Sequence, residues 1–202
     1  MTAARLCADL VGRRWRDDRG AQLVEFAVTL PLMMVFVVGI FDFSGAFTLK
    51  QKLTNTARDA ARAAAAEPAS DLGRTLPMSV NDAFLAVDNY LAANQINDCG
   101  ITTTGSKSGL TWKFTASGNG CVSPGLTLTI NRGCYFPQTG AGLPSVSCAS
   151  QAPGNGQIAV VGTCVSIQYR YPWRFGRVAS LLGSAIALPT QISATAVALD
   201  EN

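Results

Sequence analysis

Residues Leu23 to Phe41 carry a single charge, Glu25, in a run otherwise made of Ala, Val, Leu, Ile, Met and Phe with one Thr, one Pro and one Gly. As a helix, this run would be roughly 28 Å long, close to the ~30 Å hydrocarbon core of a bilayer. The charge sits near the head of the run, just after the small-residue junction Gly20-Ala21. These two facts constrain the chain more than any other: it is expected to cross a membrane once and to carry a carboxylate into the apolar layer.

The segment before the run is a short basic leader, residues 1–20, with Arg5, Arg13, Arg14, Arg16 and Arg19 against Asp9, Asp17 and Asp18. Its charge resembles that of a signal peptide, but the order of parts differs. A secretory signal places its small-x-small cleavage site after the apolar segment, whereas here the small junction precedes it. Lys/Arg bias does not orient the span, because Lys50, Lys52, Arg58 and Arg62 follow it much as the arginines precede it. The junction and the cysteine distribution place the leader in the cytoplasm and the remainder outside it.

Cys7 lies before the span; Cys99, Cys121, Cys134, Cys148 and Cys164 lie after it. None forms a Cys-x-x-Cys pair, which argues against a zinc site. Five spaced cysteines in Gly/Ser/Thr-rich surroundings read as two disulfides and a spare thiol in an oxidising compartment, or, alternatively, as two or three buried reduced cysteines. The pairing stays open: bridges between strand neighbours (Cys121, Cys134, Cys164) or one pinning a loop (Cys134, Cys148) are both conceivable.

Past the span, Ala46, Leu49, Leu53, Ala57, Ala60 and Ala64 recur at three- and four-residue steps, with Lys50, Lys52, Asn55, Arg58, Asp59 and Arg62 largely off that stripe. One long helix is therefore expected from Ala21 to about Glu67, ended by Pro68 and kinked or locally loosened at Pro31. The alanine stripe is expected to pack against the rest of the same chain, and Asp42 to be a plain boundary residue. A second helix is expected over Asn81–Asn94, capped by Ser79 or Asn81, with Phe84, Val87, Tyr90 and Leu91 buried.

From Ile101 the texture changes to strands. Leu110–Thr115 and Leu126–Ile130 alternate around the turn signal Gly118-Asn119-Gly120. In Val165–Tyr171, residues Val165, Ile167, Tyr169 and Tyr171 fall on one side; Gln191–Leu199 reads as a closing strand. Gln138–Gly156 reads as a loop and Phe175–Ala187 as a short apolar helix. Trp173, Arg174 and Phe175 read as core aromatics beside a surface arginine rather than a membrane-interface contact. The division is leader 1–20, transmembrane segment 21–42, helix extension 43–67 and an extracytoplasmic domain 68–202. The fold class is α+β, a long transmembrane helix continuing into a small antiparallel-sheet domain.

A carboxylate inside an apolar span is costly and is a functional candidate by default. If the chain is cut after Gly20, Ala21 becomes a free ammonium one helical turn from Glu25. The two charges can then pair within a helix or between staggered neighbours, where low dielectric strengthens the attraction, and the helix dipole favours a carboxylate in the first turns.

Gly20 followed by four residues and then Glu25-Phe26, at the head of an apolar span, resembles the cleavage motif of type IV prepilins of the Flp/Tad class, which usually read Glu-Tyr. The stretch Arg19–Leu32, together with Gly39-Ile-Phe-Asp-Phe43 and Leu53–Arg62, resembles the TadE-like family of pilus-assembly proteins. The resemblance is good over Asp18–Ala66, loose near Tyr169–Phe175 and the final strand, and absent over Pro68–Thr163.

The resemblance implies a pilin-like fold and a minor pseudopilin-like component of a Tad (tight adherence) pilus and secretion system. It implies cleavage by an aspartyl prepilin peptidase at Gly20-Ala21, and Glu25 and Phe26 as assembly and recognition residues. Implied partners are that peptidase, other Tad pseudopilins, inner-membrane assembly proteins and the bilayer, at the bacterial inner membrane with the C-terminal domain in the periplasm. Cleavage would remove five of sixteen basic and three of thirteen acidic residues, leaving a near-neutral subunit.

Neither catalysis nor a cofactor is expected, because the chain holds no histidine and shows no Gly-x-Ser-x-Gly motif or phosphate loop. A net charge of +3 without a basic, aromatic-interleaved run argues against nucleic acid. Two rival readings are a signal-anchored binding or adhesin module, with residues 138–156 as its contact loop, and a pseudopilin of a non-pilus secretion system.

Overall fold

The computed structural model describes residues 18–137, 148, 159–174 and 189–200. The expected loop over residues 138–156, apart from Cys148, and the expected short helix over 175–187 lie outside them. The chain divides into two compact units, Met1–Ser44 with Arg174–Ile186, and Gly45–Trp173 with Ala187–Asn202.

The long helix α1 spans Asp18–Ala66 without interruption and contains Pro31. Residues 18–20 are already helical, so the helix takes in the Gly20-Ala21 junction as well as the stretch expected from Ala21. Pro31 lacks an N–H and costs one intrahelical bond, yet the helical assignment continues through it. In the first unit the apolar side chains of this helix are exposed, among them Leu23, Phe26, Val28, Met33, Phe36, Ile40 and Phe41. Asp42 differs from them: it is buried.

Among its described residues, the second unit contains the remainder of α1, a 3₁₀ turn at Ala69–Asp71, helix α2 (Met78–Ala93) and five strands. The strands are β1 (Ser106–Ser108), β2 (Thr111–Ala116), β3 (Leu126–Pro137), β4 (Ala159–Arg170) and β5 (Gln191–Leu199). They form one antiparallel sheet in chain order, β1-β2-β3-β4-β5. Alternation sets which side faces inward. Trp112, Phe114, Leu128, Ile130, Val165, Ile167, Ile192 and Ala194 are buried, while Lys113, Thr115, Gln168 and Ser193 point outward and are exposed.

The inward face shares one apolar cluster with both helices of this unit. From α1 come Leu53, Ala57, Ala60, Ala61 and Ala64, all fully buried, so the alanine stripe packs against its own chain. Side chains this short allow close approach of the helix backbone. From α2 come Val80, Ala83, Phe84, Val87 and Leu91, with the Phe84 ring set edge-on to Phe114 at 5.2 Å. Helix α2 begins earlier than Asn81 and is not capped by Ser79 or Asn81. Pro77 holds the N-cap position without a side-chain bond, and the Met78 N–H donates instead to Asp71 Oδ2 at 2.7 Å. Ser79 is buried within the helix.

Candidate assembly and anchoring surface

Gly20, Ala21, Glu25 and Phe26 all lie on α1 and are exposed. The Gly20-Ala21 peptide bond lies within α1. Nothing stands within 4 Å of the position a Gly20 side chain would take. In the uncut chain helical residues from Asp18 onward precede Glu25, which puts it beyond the first turn where the dipole acts. Cutting after Gly20 would bring the start to within about one turn of it. The apolar residues that follow are exposed nearly all round, the pattern of a helix built for lipid or for other helices rather than for its own domain. This helix is long and apolar enough to cross a membrane, with mean hydropathy 2.3 over its most apolar window.

Where α1 ends, the sheet supplies a clamp that sequence reasoning missed. Strand β3 bulges between Asn131 and Cys134: Asn131 faces Cys164 and Cys134 faces Gly162, so Arg132 and Gly133 together oppose Thr163. The bulge is held by Gly133 N–H donating to Asn131 Oδ1 at 2.8 Å and Arg132 N–H to Leu110 O at 2.9 Å. It turns Arg132, only 2% exposed, into the core. There the guanidinium donates to Ala64 O at 2.6 Å and Glu67 O at 2.9 Å, two carbonyls at the C-terminal end of α1. It also donates to Thr163 Oγ1 at 2.7 Å and meets Asp200 Oδ1 at 3.0 Å. A cation at a helix C-terminus satisfies carbonyls left without intrahelical donors and opposes the dipole. The clue in the sequence was faint: an arginine in an apolar strand, followed by a glycine.

Two disulfides brace the unit, Cys99–Cys121 and Cys148–Cys164. The first ties the turn after α2 to the β2–β3 connection. Gly125 has no room for a side chain here, since a methyl would meet Cys121 Cβ at 2.5 Å and Cys99 Sγ at 2.7 Å. The second holds Cys148 against β4, helped by Asn131 Nδ2 donating to Cys148 O at 2.9 Å. Cys134 takes part in neither bridge and is buried as a free thiol. It lies across from Gly162 on the neighbouring strand, so neither the strand-neighbour bridges nor the Cys134–Cys148 bridge forms. Burial, with the Asp200 carboxylate nearby, pushes its pKa up to about 11, against a smaller opposing effect of the Cys164 backbone.

At the opposite end of β4, Tyr171 and Trp173 stack edge to face with centroids 4.9 Å apart. They line a groove of about 510 Å³ with Val122, Arg170, Pro172 and Thr190. The Trp173 indole donates to Pro189 O at 2.6 Å, and Arg170 Nη1 to Ser123 O at 2.9 Å. Desolvation, then the Asp98 charge, raises the pKa of Tyr169 at the groove's inner wall. Among the described residues, no group of three or more Cys, Asp or Glu side chains is placed to hold a metal ion.

Among the described residues, these features define a candidate membrane helix leading into a disulfide-braced α+β domain. The chain's N-terminal part is TadE-like: the family model described as TadE-like protein matches residues 20–62, from the small-residue junction to the buried part of the alanine stripe. That match supports involvement in Tad pilus assembly. No curated protein and no solved structure matches the chain.

Proposed function

We propose that the protein is a non-catalytic, minor pseudopilin-like component of a Tad-type pilus apparatus, cut by a prepilin peptidase between Gly20 and Ala21. The carrying observation is that the TadE-like match begins at Gly20 and covers a helix whose first half is exposed and apolar. The second half of the same helix is buried in its own domain, which leaves the first half as the surface for other helices. In this reading the leader is cytoplasmic, the anchor lies in the inner membrane and the disulfide-braced domain is periplasmic.

Glu25 supplies the selectivity. A carboxylate at the edge of the hydrocarbon layer gains most when a neighbour's free Ala21 ammonium comes beside it, since removing both charges from an unpaired state relieves a cost of about 2.5–3.5 kcal/mol per charge at most. Partners are then other processed pseudopilins and inner-membrane assembly proteins.

Intact-mass analysis of protein extracted from membranes tests the cleavage. A chain starting at Ala21 is expected, and a full-length chain in cells with active prepilin peptidase would refute the reading. Glu25→Ala is expected to leave insertion and cleavage intact while lowering recovery of partner subunits in co-purification. Unchanged recovery would remove the pairing mechanism.

A further inference from the structure

The bulge in β3 decides which way the free thiol points. Asn131 faces Cys164, so unbroken pairing would set Cys134 opposite Val161, on the inward side with Thr163 and Val165. The extra residue instead sets Cys134 opposite Gly162, on the same face as Cys164 two residues further along β4. Cys134 and Cys164 are thus diagonal neighbours, about 7–8 Å apart in the backbone. Gly162, beside Cys164 on that face, adds no side chain to screen one from the other. The Cys134 sulfur accepts a hydrogen bond from the Cys164 backbone, which holds it next to the bridged residue.

Cys148 sits between the two strands. Its sulfur is bonded to Cys164 on β4, with Cα atoms 5.3 Å apart. Its carbonyl accepts from Asn131 Nδ2 on β3 at 2.9 Å. A backbone already held over β3 needs little movement to exchange one strand's sulfur for the other's. A Cys134–Cys164 bridge does not compete, because Cα atoms on the diagonal lie at or beyond the ~7 Å limit of a disulfide. Cys134 and Cys164 are buried, so a thiolate formed at Cys134 meets the bridge before any external disulfide.

We propose that Cys134, Cys148 and Cys164 form an internal exchange relay, in which the Cys134 thiolate attacks Cys148 Sγ and expels Cys164. The Cys134–Cys148 bond forms as the Cys148–Cys164 bond breaks, and the proton given up by Cys134 ends on the Cys164 sulfur. No net oxidation occurs and no other reactant is consumed. The tether of Cys148 passes from β4 to β3. Burial and the Asp200 carboxylate at the end of β5 hold Cys134 protonated at neutral pH, with a pKa of about 11. Arg132, two residues back on β3, is turned to the opposite face and engaged with Asp200. The native pairing therefore persists near neutrality, and the relay runs as the thiolate fraction grows.

The test uses the full chain carrying Cys7→Ser, near pH 10, where about a tenth of the Cys134 thiol is ionised. Emission of buried Trp112 confirms that the chain stays folded. Samples are quenched in acid, unfolded, alkylated with a maleimide and mapped by peptide mass. A Cys134–Cys148 peptide is expected, with Cys164 as the alkylated residue, forming about tenfold faster for each pH unit gained below 11. In Cys134→Ala the Cys148–Cys164 bridge is expected to stay unchanged over the same period. Retention of Cys148–Cys164 with alkylated Cys134 at every pH would overturn the relay. So would a Cys134–Cys164 bridge, new bridges that draw in Cys99 or Cys121, or loss of Cys148–Cys164 at the same rate in Cys134→Ala.

Discussion

Replacing Arg132 by Met keeps an unbranched apolar stem and removes the guanidinium that closes the end of α1. Four acceptors lose the guanidinium: Glu67 O and Thr163 Oγ1, and also Ala64 O and Asp200 Oδ1, which keep the Glu67 N–H and the Thr163 hydroxyl as donors. The arginine is essentially solvent-free and the Asp200 side chain is 13% exposed, so water restores only part of what is lost. Removing one partner of a buried ion pair costs about 3–5 kcal/mol. That is a large share of the roughly 5–15 kcal/mol that holds a typical domain folded. Asp200→Asn is expected to cost less, about 1–2 kcal/mol, because an amide oxygen still accepts from Arg132 and from the Thr163 hydroxyl, which donates to Asp200 at 2.7 Å. Since the two residues share one network, the double variant should fall short of the sum of the singles by about 1–3 kcal/mol. Denaturant unfolding of the detergent-solubilised protein, followed by emission of buried Trp112, gives these values. Amide exchange at Ala64–Glu67 should quicken selectively in Arg132→Met. Loss of under about 1 kcal/mol in that variant, or additivity within about 0.5 kcal/mol, would refute the clamp.

Gly45→Ala should destabilise the protein by about 1–2 kcal/mol through the clash with Tyr171 Oη. In a Tyr171→Phe background it should be neutral or stabilising by up to about 1 kcal/mol, because alanine is the better helix former; thermal unfolding of the four variants decides. In a Cys7→Ser background, Cys134 should resist alkylation at pH 8 in the folded protein, because a thiol with its pKa at about 11 is protonated there. It should label once the chain unfolds without reductant. Because that pKa is raised in the folded state, its contribution to stability is intact below the ordinary thiol value near 9 and is lost as pH climbs towards 11. Cys134→Ala should therefore flatten the alkaline loss of stability in a pH series. Replacing Cys99 and Cys121 by Ala should cost about 2–4 kcal/mol, read by denaturant midpoint, whereas Gly125→Ala should destabilise with the bridge intact by mass.

The parts of this fold that were legible in the sequence are those dictated by period. Val165, Ile167 and Tyr169 alternate with Ser166, Gln168 and Arg170, and the sheet buries the first set. The Ala57, Ala60 and Ala64 stripe repeats at helical steps and is buried as expected. What stayed illegible depends on residues distant in sequence. Pairing Cys99 with Cys121 requires knowing that the turn after α2 meets the β2–β3 connection, which spacing alone does not encode. Asp71 replaces Ser79 or Asn81 at the start of α2 because a 3₁₀ turn brings its carboxylate back to the Met78 N–H, seven residues on. Arg132 resembles any strand arginine until the bulge reverses its direction. In the apolar half of α1, Glu25 and the Gly20-Ala21 junction stood out because a charge and a small pair are conspicuous against an apolar run.

The alanine stripe also sets an order of events during synthesis. Leu53 to Ala64 emerge early, yet the strands that cover them extend to residue 199 and the clamp is completed by Asp200. Contacts of such long sequence separation form late and slowly. Until then, a helix half that is apolar on one face waits uncovered. The nascent domain is thus exposed to mispairing through most of its own translation, and a holding factor acting on that stripe would have its greatest effect there.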